Sequence, residues 1–420
     1  MDFNIRNFGK ITEANIKFDG ITVICGDNNT GKSTVGRALF SFFNSLNDYK
    51  DKIYMQKVDK ILSTIINYSP GSVRMSARML YSDSFFDFIS EHDGNFSLGE
   101  IKEYFESNYS IKLSKERLAA IVEYLNTSEI DILNEYVYRY ITNVMNAQVK
   151  NAYVSNNSRC YISGKFKNFT NTISIKKQHC VCELNEPIEH SAYYINDPFE
   201  LDNLNEHRVM SLGSSPMGRN IVDAILRAQS DINKDSMTNI LDSVINKKDL
   251  DDVRKILRKA YGGSTTIDHG KYFYIENGMT FDFRNLSAGL KSFAIIERLL
   301  ETGVLKKKDI LILDEPEIHL HSEWQIIYAE LIVVLQKKFD LTVLIVTHSF
   351  QFLESLDFFM KKYGTSNCSN YYVPKNTDKG VVLKSCGNNP DELKRNLAKG
   401  SIKIADLEFE YDMEHYEDET

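Results

Sequence analysis

Phe3 and Ile5 alternate with polar neighbours, the apolar positions from Ala14 to Phe18 do the same, and Ile21 to Cys25 is almost continuously apolar. Alternation of period two predicts strands with one wet face, and an unbroken run predicts a strand covered on both faces. A glycine-bearing loop follows, after which Val35, Leu39 and Phe43 recur at helical spacing. From about residue 44 to 154 the period stays helical, as in Leu113 to Leu125, and glycine and proline are scarce. Between Arg159 and Ile195 the period returns to two. Cys160-Tyr161-Ile162, Ile173-Ser174-Ile175 and Ala192 to Ile195 together predict an antiparallel meander. Helices resume near Met217. One of them, Asp251 to Tyr261, places its acids first and Arg254, Lys255, Arg258 and Lys259 later, the order a helix dipole favours, with the basic residues on a solvated face. Two short strands, Tyr272–Glu276 and Thr280–Phe283, lead into a helix–strand–helix–strand order with apolar strands at Ile310–Leu313 and Val343–Val346. That order marks a parallel sheet covered on both sides. After Asp406 the acids Glu408, Glu410, Asp412, Glu414, Glu417, Asp418 and Glu419 stand without lysine or arginine and predict a frayed, solvated end.

With 420 residues, 42% of them hydrophobic, the chain can bury a large core in one big domain or two. A net charge of −8 argues against a uniformly basic surface and leaves local patches open. No apolar stretch approaches the roughly 20 residues that span a bilayer. The N-terminus lacks a cationic start followed by an apolar run, and the six cysteines are scattered, so the expectation is a cytoplasmic protein with reduced thiols and no membrane contact. His179, Cys180 and Cys182 lie close together but belong to an alternating run, without the second ligand pair that a zinc site needs. They read as a strand.

Chemistry concentrates in three places. Gly26-Asp27-Asn28-Asn29-Thr30-Gly31-Lys32-Ser33, with Thr34 next, fits G-x-x-x-x-G-K-[ST] between an apolar strand and a helix. Glycines permit the turns by which backbone N–H groups converge on a phosphate chain, and the following helix points its positive end at the same charge. Lys32 is expected to reach the β- and γ-phosphates and the Ser33 hydroxyl to ligate Mg²⁺. Second, the strand Ile310 to Leu313 ends in Asp314-Glu315-Pro316. Two adjacent carboxylates at the C-terminal edge of a parallel sheet are costly unless a cation neutralises them, so Asp314 is expected to hold Mg²⁺ through its water shell and Glu315 to polarise the attacking water. Third, the next strand ends in Thr347-His348-Ser349, which puts His348 where it can donate to the γ-phosphate or the lytic water.

Asn285-Leu286-Ser287-Ala288-Gly289-Leu290-Lys291-Ser292 opens a helix, and Ser287 with the free N–H groups beyond it makes an anion site there. Taken in order, phosphate loop, Leu-Ser-Ala-Gly, Asp-Glu-Pro and Thr-His-Ser resemble the ATP-binding-cassette class of ATPases. The opening Arg6-Asn7-Phe8-Gly9-Lys10-Ile11 and the run Asp314-Glu315-Pro316-Glu317-Ile318-His319-Leu320-His321 are similar to the soluble branch with RecF, SMC proteins and the ATPase part of OLD nucleases. The resemblance covers about residues 1–45 and 280–350. It implies a stand-alone AAA-type ATP-binding protein, an ATPase using ATP and Mg²⁺, in which Ser287 and Gly289 of one subunit cap the γ-phosphate on the phosphate loop of another. Two heads would thus be glued by ATP and released by hydrolysis, as a homodimer or higher homo-oligomer acting on a protein effector or DNA, in DNA transactions or anti-phage defence. Two departures stand out: the family's loop glutamine has no clear counterpart between Ser33 and Leu286, and His319-Leu320-His321-Ser322 replaces the aspartate-bearing loop.

The expected fold is α/β, a P-loop NTPase head with a mostly parallel sheet, N-terminal antiparallel strands and a large helical and β insertion. Residues 1–45 and 265–385 form the head, 46–158 a helical insertion, 159–200 an antiparallel meander joined to the head, 201–264 a helical segment, and 386–420 a C-terminal helix with an acidic tail. The 254 residues from Lys32 to Leu286 carry no sustained heptads, which excludes a long coiled-coil arm. An OLD-type nuclease is the first alternative, but roughly 65 residues after Leu353 are too few for its metal domain. A transporter subunit is the second, and the lack of glutamine after Leu-Ser-Ala-Gly weighs against it.

Overall fold

In the computed structural model, which describes residues 1–66, 80, 82–92, 95–155, 157–205, 215–232, 240–268 and 271–416, eleven strands join one sheet. In chain order the strands are β1 (Asp2–Phe8), β2 (Ile11–Lys17), β3 (Ile21–Cys25), β4 (Cys160–Lys165), β5 (Thr170–Lys176), β6 (His179–Glu183), β7 (Ala192–Ile195), β8 (Ser264–Asp268), β9 (Lys271–Glu276), β10 (Met279–Asp282), β11 (Ile310–Asp314), β12 (Thr342–Thr347), β13 (Ser369–Thr377) and β14 (Gly380–Ser385). The helices are α1 (Lys32–Leu46), α2 (Tyr49–Ile66), α3 (Asp83–Glu91), α4 (Leu98–Tyr109), α5 (Lys115–Asn126), α6 (Glu129–Val144), α7 (Pro216–Ile232), α8 (Ile240–Ala260), α9 (Ala288–Glu301), α10 (Ser322–Phe339), α11 (Phe350–Tyr363) and α12 (Asp391–Tyr416).

The large sheet runs β6-β5-β4-β1-β2-β14-β13-β3-β12-β11-β7, and β8 to β10 form a separate antiparallel sheet. Its parallel half is β13-β3-β12-β11-β7. Side chains alternate between two layers there, as the pleat requires. Ile21, Val23 and Cys25 of β3 join the layer packed by α9, α10 and α11, while Ile24 joins the layer under α1 and α6. On β11, Leu311 and Leu313 face the first layer and Ile310 and Ile312 the second. Apolar runs without alternation are therefore the mark of strands with a helix on each face.

Within the insertion, α2 to α5 bury their own cluster, including Val58, Ile61, Phe85, Phe105 and Ile121. Helix α6 instead puts Leu133, Val137, Ile141 and Val144 into the layer shared with α1 and the antiparallel strands, so the end of the insertion is part of the head core.

Two expectations need correction. The meander holds β4, β5 and β6 only. Ala192–Ile195 pairs parallel with β11 at the opposite edge of the sheet, because all four residues are buried and a short run covered on both faces belongs in the parallel layer. The segment after Asp406 is helical to Tyr416 rather than frayed, and Glu417, Asp418 and Glu419 lie outside the described residues. Cys180 and Cys182 are buried with their sulfurs 3.8 Å apart, and His179 is exposed on the other face of β6. Among the described residues no helix is long and apolar enough to cross a membrane.

Candidate active site

Strand β3 lies between β12 and β13, so the loop after Cys25 opens where the chain connections diverge to either side of the sheet. Open parallel sheets bind ligands at such a point. The loop closes on Gly31, the N-cap of α1, at φ +77°, where a Cβ would also meet Ile11 Cδ1 at 3.0 Å. Only glycine takes that conformation cheaply and leaves room for it. Lys32 is buried, and its Nζ donates to Gly26 O at 2.9 Å and Asp27 O at 2.7 Å, which curls the loop around its own ammonium. Burial pulls the Lys32 pKa below its usual value, against the nearby Glu315 and Asp314 charges, which raise it.

Ser33 Oγ donates to Asp314 Oδ1 at 3.1 Å, bringing the loop to the end of β11. The other carboxylate oxygen accepts from the Tyr194 hydroxyl on β7. Burial first, then Asp314, pushes the Tyr194 pKa well up, so the phenol stays a donor. The next residue, Glu315, sits at φ +53° with its N–H donating to Val346 O at 2.8 Å. Left-handed backbone is uncommon for glutamate and recurs at active sites. It turns the Glu315 side chain toward His348, whose Nε2 stands 3.1 Å from Glu315 Oε1. That nitrogen is buried and makes no aligned hydrogen bond among the described residues. The loop carrying His348 is clamped by Glu317, whose Oε1 accepts from Thr347 Oγ1 (2.6 Å), His348 N (2.8 Å) and Ser349 N (3.1 Å). Burial raises the Glu317 pKa while those donors lower it.

A cavity of about 880 Å³ gathers these groups. Asn28, Asn29, Thr30, Gly31, Lys32, Ser33 and Thr34 line it together with Glu315 and His348. Gly26, Asp27 and Asp314 stand immediately behind that wall through the hydrogen bonds above. Gln148, Lys150 and Tyr153 also line it. Among the described residues no group of three or more His, Cys, Asp or Glu side chains converges on a metal position. One hydroxyl and one carboxylate fit magnesium, which keeps several waters and is commonly completed by substrate phosphates.

Ser287 and Gly289 stand outside this cavity. Ser287 is the exposed N-cap of α9, its Oγ accepting from Leu290 N at 3.3 Å. Gly289 is buried where a Cβ would meet Trp324 at 2.9 Å and His319 O at 3.0 Å, so the signature helix rests directly on the loop after the carboxylates. Lys291, at 0% exposure, pairs with Asp202 at 2.6 Å and lies 4.6 Å from the Phe199 ring centre.

Sequence reasoning placed the loop, both carboxylates and His348 in one cavity's neighbourhood but missed Tyr194, Glu317, Lys291 and Gln148. Glu317 carried a readable signal, an acid two residues beyond the carboxylate pair in a stretch otherwise turning back toward the core. Tyr194 carried none beyond its place in an apolar run.

The sequence profile of the AAA ATPase domain family matches residues 1–353. No curated protein matches the chain. Among solved structures, the chain is similar to the SMC head domain from Thermotoga maritima at 10% identity, covering 91% of this chain and 97% of that one with a TM-score of 0.37. It is also similar to an SmcHead bound to the C-winged helix domain of ScpA, at 12% identity, 93% and 98% coverage and a TM-score of 0.45. A third is an Smc head domain with an extended coiled coil bound to the C-terminal domain of ScpA derived from Pyrococcus furiosus, at 10% identity, 97% and 98% coverage and a TM-score of 0.41.

Proposed function

The chain belongs to the AAA ATPase domain family, and we propose that its ATP binding and hydrolysis drive the pairing of two heads, each supplying half of both nucleotide sites. The observation that carries this is the division just described: loop, Glu315 and His348 share one cavity with Asp314 tied to it through Ser33, while Ser287 is exposed outside it. Residues 26–34 would cradle the phosphates through backbone N–H groups, with Lys32 on the terminal ones. Ser33 and Asp314 would hold Mg²⁺, and Tyr194 would orient Asp314 from behind. The bound magnesium nucleotide supplies the electrophilic phosphorus and neutralises the charge of the leaving phosphates. Glu315 would hold the attacking water as acceptor, and His348 Nε2, directed at the same spot by the Glu317 clamp, would donate to the terminal phosphate oxygen. Ser287 Oγ and the N–H groups at the start of α9, with Gly289 letting the helix approach closely, would complete the site of the second copy.

The test is Glu315→Gln. It should keep ATP affinity, lose turnover by on the order of 10²–10⁴-fold, and elute as a dimer with ATP and a monomer without. Turnover at the parent rate, or an oligomeric state indifferent to ATP, would overturn the proposal. The pairing is expected to act on a protein effector or DNA. Acceleration of the parent enzyme's turnover by duplex DNA selects DNA, and an unchanged rate selects a protein.

A further inference from the structure

The cavity is lined by more than the phosphate loop. The segment that returns from the helical insertion also forms its wall, with Met145, Ala147, Gln148, Lys150 and Tyr153. This segment is built for rigidity. Asn146 and Ala147 both have left-handed backbone, φ +49° and +64°, which is costly in alanine and persists only where surrounding contacts impose it. Those contacts are present. Ala147 N donates to Thr142 O at 2.8 Å, Gly9 N to Val149 O at 2.8 Å and Asn151 N to Asn7 O at 3.0 Å, so the segment is stitched to the β1–β2 turn. Asn151 is fully buried, and its Oδ1 accepts from Tyr153 N at 2.9 Å.

Tyr153 thus hangs from a fixed backbone while its side chain is 62% exposed. Among the described residues no hydrogen bond, ring pair or cation engages that side chain. A lone exposed tyrosine is ordinary on a protein surface. A tyrosine with a pinned backbone, on the wall of the cavity that a phosphate loop also lines, is preorganised for stacking. The β1–β2 turn offers no alternative ring, since Phe8 is fully buried.

We infer that this returning segment is the base-binding wall of the nucleotide site, with Tyr153 stacked on the purine and the Gln148 amide reading its edge. The inference rests on the phosphate-loop reading above. It also ties the insertion to nucleotide occupancy, because the segment continues directly from α6, whose apolar face packs in the same layer as α1.

The experiment compares two ligands on the full chain with magnesium present: ATP, and tripolyphosphate, which lacks base and sugar. Tyr153→Ala should weaken ATP binding roughly tenfold, as loss of one base–aromatic stack does, and leave tripolyphosphate binding unchanged. Tyr153→Phe should bind both as the parent does, and Gln148→Ala should narrow the preference for ATP over GTP. Tyr153→Ala that binds both ligands like the parent, or weakens both equally, overturns the base wall. A parent chain that binds neither ligand overturns the phosphate-loop reading itself.

Discussion

The phosphate-loop end and the signature end of the head are built on opposite plans. At the first, polar groups face inward and already engage one another: Lys32 on two carbonyls, Ser33 on Asp314, His348 beside Glu315. At the second, the working atom faces outward and the investment lies behind it. Ser287 is exposed, whereas Gly289 and Lys291 beneath it are buried against Trp324, His319 and Asp202. A concave, self-satisfied set is suited to receive a ligand, and a convex, braced one to be presented to something else. On the proposed reading, the two ends complete one another across a pair of chains. The two are also joined, since the segment carrying Phe199 and Asp202 follows directly from β7, whose Tyr194 holds Asp314.

The comparison breaks or stands most sharply on complementation. Lys32→Ala should lose nucleotide binding by two to three orders of magnitude, and Ser287→Ala should keep binding but fail to cap the nucleotide of a partner; each should be nearly inactive. Mixed in equal amounts, they should recover up to about a quarter of parent turnover, the limit in which pairing is random, half the dimers are mixed and each mixed dimer has one intact composite site. A mixture as inactive as its components would place Ser287 and Lys32 in the same site of one chain, or in no shared site.

A smaller effect separates the brace from the cavity. Asp202→Asn leaves the Lys291 ammonium without a counter-charge at a position of 0% exposure, and should cost about 3–5 kcal/mol of stability in urea unfolding. Lys291→Met removes the buried charge instead and leaves Asp202, which is 29% exposed, partly solvated. It should cost less than half as much. ATP affinity of the isolated heads should be the same in both variants, since neither residue lines the cavity. Equal destabilisation by the two changes would mean that packing rather than charge holds the signature helix.

What could be read from sequence follows the same division. The receiving end was legible because its residues are local: a glycine-bearing loop between strand and helix, and two strands ending in acids or histidine. Its dependence on Tyr194 was not, because Ala192–Ile195 is a four-residue apolar run with no period to say which strand it joins. Placing it in the meander put Tyr194 at the wrong edge of the sheet. The brace was equally opaque. Lys291 lies in a helix buried on nearly every side, where a lysine looks like a solvated residue until its partner 89 positions away is known. Gln148 and Tyr153 follow a helix in a polar stretch without periodicity, and only the backbone ties to Asn7 and Gly9 bring them to the cavity. The sequence predicts a C-terminal helix with a frayed, acid-rich end after Asp406, yet α12 continues through that stretch to Tyr416.

The smallest predicted effect isolates the link between the two ends. Tyr194→Phe removes one hydroxyl and its hydrogen bond to Asp314 while keeping the ring that fills the space between α1 and β11. The fold should be undisturbed, because the ring stays in place and loss of the hydroxyl frees one carboxylate oxygen rather than opening a cavity. Asp314 would then be fixed by Ser33 alone. Supporting residues of this kind typically change metal affinity by about 10-fold or somewhat more, so the Mg²⁺ concentration needed for half-maximal turnover should rise by about that factor, with turnover at saturating Mg²⁺ close to the parent's. If instead the saturated rate fell and the Mg²⁺ dependence did not move, Tyr194 would be acting on the chemistry or on pairing through the segment beyond β7. The separation of receiving and presenting ends would then have to be redrawn with Tyr194 on the presenting side.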